Sequence, residues 1–594
     1  MHRLLALIVT VATTAAAQNA QLPSGYWAES KSATILEKTQ TIRLAPDLQG
    51  LSDGERAAVD ELQRVGEIMQ ALYEESRHPD ALEAKRTLIE LDRRLGSPVA
   101  TQNLLTLYRL FQGPIASTLD NRREAFLPVR PQTPARSVYP PDITRAEVDA
   151  FLEAHPEERS EILGERTVVR RATKENLAQD LRVLENGALA TLHAHLRSDL
   201  QQLAAKPDGR TLYAVPYAVA YADELTRAFH HLMTAARLVE PSDAEFARYL
   251  RNRARDFLSN DYESGDASWV TGRFRRLNAQ IGAYETYDDA LFGVKAFHSL
   301  SLLLQDEQAT ADLRRRLGGL QEIENALPFE RHKRVNEDIS VGVYSIIADF
   351  GQARGTNSAT ILPNDPLFSS RYGRTILLRQ NILTHPDLFA ADVRTWRAVV
   401  ADTHHADLTS EGSVQRVLWH EVGHYLGPDR DKQGRTLDVA LEEHADAMEE
   451  MKADLVSLFA LQTMHRAGTI DAAALRAARA SGIRRVLLNV QPRRDQPYQT
   501  MQLAQFNYFL HNKLLTFDAS SSRLTIHYDR YETVVASLLR DVLSLQYHGN
   551  REAAGAFFDR WGAWTADLHE TLAARMREAQ GARYRLVRYA VLGE

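Results

Sequence analysis

The string Trp419-His420-Glu421-Val422-Gly423-His424-Tyr425-Leu426-Gly427, joined downstream by Glu449-Glu450-Met451-Lys452-Ala453-Asp454, restricts the fold of this chain more than any other stretch. Ser413 can cap a helix whose apolar face is Val414, Val417, Leu418 and Val422, and Gly427-Pro428 supplies its stop. His420 and His424 then stand one turn apart on the same side, a spacing at which two imidazoles bind one zinc ion while Glu421, slightly aside, reaches its water. Such a zinc lowers the pKa of that water towards about 7, and a neighbouring carboxylate takes the proton as the water attacks a carbonyl.

A third ligand is needed. A second helix is expected over residues 437 to 467, ended by Gly468, with an apolar line of Met448, Met451, Leu455 and Leu458. Glu443, Ala447, Glu450 and Asp454 form the adjoining line at helical spacing. Glu450 is the preferred ligand; Asp454, one turn on, and Glu449 are second-sphere acceptors for the ligating rings. Without the upstream histidines these acids would read as a solvated face. A layout with all ligands in one segment, His-Glu-x-x-His-x-x-Gly-x-x-His, is met by Gly427 but puts Arg430, which binds no cation, at the last position.

The chain has 594 residues and no cysteine, so any metal must be held by His, Asp and Glu, and no disulfide contributes. That length implies two or more lobes with a cleft between them. The net charge of -7 offers no general attraction for nucleic acid or anionic membrane, so neither is an expected partner. Residues 1–17, with Arg3 ahead of an apolar run that ends Ala15-Ala16-Ala17, are expected to be a signal peptide cleaved near Ala17, giving a secreted or periplasmic protein. The run is shorter than the roughly 20 residues that span a bilayer, and no second one follows, so no stable membrane span is expected.

Helical periodicity covers residues 51 to 110, 144 to 258 and 290 to 327, with one candidate strand at 211 to 219; the proline-rich stretch 128 to 141 breaks regular structure. After Arg331 short extended segments (341–347, 375–378, 523–527, 583–591) alternate with helices, including 472–480 and 533–545. The expected class is mainly α with minor β (α+β), two lobes around a cleft, with 18–330 a mostly helical N-terminal region and 331–594 a zinc catalytic region.

The pairing of His420-Glu421-x-x-His424 with Glu449-Glu450-x-Lys452-Ala453-Asp454 resembles the dipeptidyl peptidase III family of zinc metallopeptidases, including its bacterial members. The likeness extends to Ala348-Asp349-Phe350-Gly351-Gln352-Ala353-Arg354, Leu362-Pro363-Asn364-Asp365 and Gln505-Phe506-Asn507-Tyr508, roughly the second half of the chain. It implies a zinc held by His420, His424 and Glu450, Glu421 as general base, Asp454 in the second sphere, and two lobes around a wide cleft. It also implies release of dipeptides from the N-terminus of short peptides, with Asn364 on the substrate's backbone or free amine and Asp338 a weaker candidate for the amine.

The departures are specific. The family motif carries one more residue between its histidines. The tyrosine and histidine that serve its transition state have no clear counterpart, the aligned positions being Ser340 and either Tyr498 or Thr500, and one asparagine appears as Ile361. Loss of such groups costs a factor of roughly 100 to 1000 in rate unless replaced, and Tyr344, Tyr498, Tyr508 and His511 are the candidate substitutes. The leading expectation is an exported peptidase with one zinc ion per chain acting on short peptides. The alternative is a zinc-containing peptide-binding protein with weak or lost catalysis, and a third reading changes the substrate to another amide or the cleavage register.

Overall fold

The computed structural model describes residues 22–594 except 121, 134, 186, 207–208, 318, 336–339, 356, 364–365 and 495. The expected leader and the candidate substrate residues Asn364 and Asp338 lie outside the described residues. The chain divides into two compact units, one of residues up to Glu37 with His78–Gln132, the other of Lys38–Arg77 with Thr133–Glu594. The first holds the helices Glu29–Leu36, Ala81–Leu95 and Val99–Phe111 and a hairpin of Ile115–Ser117 with Arg123–Ala125.

The second unit is built on a five-stranded sheet of β1 (Leu277–Ala283), β2 (His298–Gln305), β3 (Ser340–Gly351), β4 (Ala359–Leu362) and β5 (Thr375–Arg379), in the order β1-β2-β3-β5-β4. β3 runs antiparallel to β2 and parallel to β5. Successive strand side chains point to opposite faces, so a sheet buried on both sides feeds two cores. Leu377 joins one core and its neighbours Ile376 and Leu378 the other. Val341 and Val343 of β3 belong to the second core, whereas Ile347 and Phe350 belong to the first.

These cores are the two lobes, in a molecule that is helical first and stranded second. The first lies among α1 (Asp53–Arg77), α2 (Ala222–Val239) and α3 (Ala244–Ser259). Gly66 sits mid-helix in α1, where glycine costs about 1 kcal/mol relative to alanine. The reason is steric: a Cβ there would come within 2.3 Å of the Phe350 ring, so helix and sheet meet at this point. The second core gathers α4 (Ser410–Gly423), α5 (Ala445–Arg466), α6 (Ala472–Val486), α7 (Pro497–His511) and α8 (Tyr531–His548). A parallel pair of Thr39–Leu44 and Tyr584–Tyr589 returns the last strand to the first core.

Two expectations are corrected. Residues 290–327 are not one helical region, because β2 occupies their centre, with Ser299–Leu303 buried on both faces. β1, buried along its whole length, was missed although Leu277, Ala279, Ile281 and Ala283 alternate with Asn278, Gln280 and Gly282. The helix expected over 437–467 is interrupted: Leu437–Leu441 ends at Glu442, which has φ +51°, a 3-10 turn follows at Glu442–His444, and α5 begins at Ala445. Arg551 holds both Glu442 (3.3 Å) and Glu443 (2.6 Å) at that break, which removes Glu443 from the line of Glu450 and Asp454. Among the described residues no helix is long and apolar enough to cross a membrane.

Candidate metal centre

α4 begins one turn earlier than its capping signal suggests. Thr409, extended at φ -125° and ψ 159°, is the N-cap and its hydroxyl accepts from the Gly412 amide at 3.1 Å, whereas Ser413, expected to cap, lies inside the helix and donates to the Thr409 carbonyl. His424 takes the C-cap position in right-handed geometry, so the helical row continues through it. The rings of His420 and His424 stand 5.0 Å apart and nearly perpendicular.

Two glycines let neighbouring helices close on α4. A Cβ at Gly412 would lie 2.5 Å from the backbone of Ala477 in α6, and one at Gly423 would lie 2.7 Å from the Ala453 carbonyl oxygen and 2.9 Å from its Cα in α5. The α4–α5 crossing thus falls one residue before His424 and three after Glu450. Contact between backbones at that point brings the acids of α5 to the histidines of α4.

His420 Nδ1 meets Asp454 Oδ1 at 2.7 Å, and His424 Nδ1 meets Glu449 Oε1 at 2.9 Å, so each ring presents its Nε2 to the space between them. Asp454 also faces the guanidinium groups of Arg416 and Arg485, both at 3.3 Å. Glu449 receives the buried Lys452 ammonium at 2.7 Å and the Gln546 amide at 3.0 Å; Lys452 in turn donates to the Leu426 carbonyl at 2.9 Å. Burial opposes charge on both acids, but these cations and the histidines outweigh it and hold both carboxyls well below the usual carboxylate range.

One ligand atom each from His420, His424 and Glu450 lie within 4.8 Å of one another. Glu450 Oε2 is buried without a hydrogen-bond partner; His420 Nε2 is 3.2 Å away but not aligned for one. A buried carboxylate oxygen in that state is costly unless a cation satisfies it, so the donor set of two imidazoles and one carboxylate fits zinc. Burial disfavours a charged His420 ring, yet Asp454 and Glu450 push its pKa up to about 10, so a bound cation competes with a proton for the same nitrogen. The side chain of Glu421, next to His420 on α4 and 9% exposed, makes no hydrogen bond to a described residue.

Of the candidate substitutes for the missing electrophiles, only Tyr498 is at the centre. Its ring is partly exposed, while its hydroxyl is pressed against Glu450, and burial together with that carboxylate pushes its pKa well up. Tyr344 is core, with its hydroxyl accepting from Asn278; Tyr508 bonds Ser537, and His511 packs on Trp561. Ser340 pairs with Thr375 on the sheet, and Thr500 donates to the Arg493 carbonyl.

Sequence reasoning missed Glu285 and Tyr287, in the loop between β1 and β2. Burial of the hydroxyl, then Glu285, then Tyr498 and Glu450 raise the Tyr287 pKa. The available signal was two tyrosines flanking an acid in Tyr284-Glu285-Thr286-Tyr287, a segment with no apolar period.

Two histidines one turn apart on one helix and an acid from a crossing helix form a group that could hold a metal ion, on an α+β scaffold. That scaffold matches solved bacterial structures. DPP III from Caldithrix abyssi superposes with a TM-score of 0.78 at 23% identity, over 94% of this chain and 99% of that one. Dipeptidyl-peptidase III from Corallococcus sp. strain EGB gives 0.77 at 23%, over 95% and 98%. The fold is therefore that of the dipeptidyl-peptidase III structures. Nudix hydrolase 3 of Arabidopsis thaliana is 27% identical over 462 residues, 76% of this chain and 56% of that protein, so the chain spans about half the length of this curated relative. No protein-family model matches the chain.

Proposed function

We propose that this protein is an exported zinc-dependent peptidase that releases dipeptides from the N-terminus of short peptides. The observation that carries the reading is the cluster of His420, His424 and Glu450 around the unpartnered Glu450 oxygen, with Glu421 next to His420 on the same helix. The likeness to two bacterial structures named as dipeptidyl-peptidase III supports the register of cleavage, and the leader-like residues 1–17 support export.

His420, His424 and Glu450 would hold one zinc per chain, which would supply Lewis acidity to the scissile carbonyl and to a water molecule. Asp454 and Glu449 fix the two rings from behind. Glu421 accepts the proton of the attacking water and returns it to the leaving amine. Tyr287 and Tyr498, whose phenols stay protonated, donate to the carbonyl oxygen as charge develops there. The catalytic region is 331–594, to which 18–330 lends Glu285 and Tyr287. Asn364 and Asp338 are assigned to the peptide's backbone and free amine on the strength of the family resemblance.

The test is mass spectrometry of products from a defined set of short peptides, with and without chelator, for the wild type and Glu421→Gln. Dipeptides are expected from the zinc-loaded wild type only, and Glu421→Gln should retain zinc while losing turnover. Every peptide left intact by the zinc-loaded wild type refutes the proposal.

A further inference from the structure

A cavity of about 760 Å³ opens at the foot of the β1–β2 hairpin, where Leu277 pairs with Leu304, at the end opposite the loop that joins the two strands. That volume is in the range of about 300–1,000 Å³ that takes a small-molecule ligand. Its wall comes from the start of α1, the segment leading into β1 and the helix Glu307–Arg316, all parts of the second unit. It carries three arginines, Arg275, Arg276 and Arg314.

None of the three forms an ion pair with a described residue. Arg276 Nη1 donates to the Gly50 carbonyl, Arg314 Nε donates to the Val341 carbonyl at 3.3 Å, and the Arg275 guanidinium makes no hydrogen bond to a described residue. Nearby arginines on the same elements behave otherwise. Arg315 pairs with Asp312 on its helix, and Arg56 pairs with Asp53 at 2.9 Å in the first turn of α1. Each guanidinium has five N–H donors in a rigid fork, so most of the donors around this cavity are left uncommitted. The lining acids do not cancel the three charges. Glu55 is buried and spent on a capping box with Ser52, accepting its amide at 2.7 Å while the Ser52 hydroxyl accepts the Glu55 amide at 3.2 Å. Glu307 opens its helix, where a carboxylate answers the helix dipole.

The backbone behind the arginines is fixed. The Arg275 amide donates to Asp243 at 2.7 Å, the Arg276 carbonyl accepts the Gln305 amide at 2.7 Å, and the Phe274 ring packs on Phe246 and Tyr249 with centroids 5.1 and 5.6 Å away. Only side-chain rotation remains to be ordered when a ligand is gripped, which keeps the entropic cost of binding low.

The geometry points to a binding site for a small molecule that carries a diphosphate or longer phosphate chain. Arginine forks bind phosphate oxygens in bidentate pairs, and three forks around a cavity of this size match several linked phosphates better than one. The site is built from residues that take no part in the metal centre, so the inference holds whatever bond that centre cleaves.

The experiment is isothermal titration calorimetry of the purified protein with inorganic pyrophosphate, orthophosphate and citrate, repeated on Arg275→Ala, on Arg275→Ala combined with Arg314→Ala, and on Arg315→Ala. Each titration is run on zinc-loaded and chelator-treated protein, because pyrophosphate also binds zinc. Pyrophosphate should bind the wild type about tenfold or more tighter than orthophosphate. Arg275→Ala should weaken it by about tenfold and the double variant by about 100-fold, as charge-assisted hydrogen bonds are lost, whereas Arg315→Ala should change it by less than about twofold. If the double variant does not fold, Arg275→Glu takes its place, since the Arg275 side chain bonds nothing else in the protein. Pyrophosphate held no tighter than orthophosphate, citrate held as tightly as pyrophosphate, or an affinity unchanged by Arg275→Ala overturns the inference.

Discussion

Gly423→Ala tests whether the backbone contact between α4 and α5 builds the metal centre. The new Cβ would stand 2.7 Å from the Ala453 carbonyl oxygen and 2.9 Å from its Cα, both backbone atoms that no side-chain rotation can move. Restoring an ordinary contact of about 3.4 Å requires the helices to part by about 0.7 Å at the crossing. Carried to the neighbouring pairs, that shift lengthens the 2.7 Å bond of His420 to Asp454 to about 3.4 Å and the 2.9 Å bond of His424 to Glu449 to about 3.6 Å, at or past the limit of hydrogen bonding. Overpacking of this kind costs about 1–3 kcal/mol of stability, and loss of the partners behind ligating histidines costs about 10–100-fold in metal affinity. Zinc affinity is measured by competition with a chromophoric chelator, alongside urea unfolding of the metal-free protein. Gly355→Ala is the control, since nothing lies within 4 Å of its Cβ position. A Gly423→Ala protein that binds zinc as tightly as the wild type refutes the reasoning, however much stability it loses.

Two further outcomes concern stability. Lys452→Met removes a fully buried ammonium from Glu449 and from the Leu426 carbonyl, and should lower unfolding free energy by about 1–3 kcal/mol in a denaturant titration. His298 is fully buried, has no hydrogen-bond partner for either ring nitrogen and packs against Tyr217 and Tyr221; burial, helped by the charge of Arg166, lowers its pKa to about 3. The unfolded chain then binds a proton that the folded one refuses between about pH 6.5 and 3, so stability is lost as pH falls through that window, by up to about 1.4 kcal/mol per unit. His298→Phe should flatten the curve between pH 6.5 and 4, and an unchanged slope by urea unfolding contradicts this account.

The metal ligands were legible because their geometry is local. His420 and His424 sit on one helix, and Glu450 and Asp454 on another, so the period of 3.6 residues sorts them with no knowledge of the fold. What surrounds them is not local. Arg416 lies one turn before His420, but nothing in the sequence says that it shares Asp454 with Arg485. The break at Glu442 depends on Arg551, more than a hundred residues later. Tyr287 was hidden for a different reason: β1 and β2 were not read as strands, although Leu277-Asn278-Ala279-Gln280-Ile281 and Ser299-Leu300-Ser301-Leu302 alternate, so the loop they bracket went unnoticed. The prolines of 128–141 were easier, because they exclude regular structure by covalent geometry alone.

The pairing of Thr39–Leu44 with Tyr584–Tyr589 has a consequence for how the molecule is made. Val587 and Tyr589 fill the first core, and the Tyr589 hydroxyl reaches Asp349 on the central strand, so that core lacks one of its walls until residue 589 has been translated. Contacts that span most of the chain are slow to form. A ribosome stalled shortly before residue 584 would carry a nascent protein with an open hydrophobic flank, a ready client for chaperones.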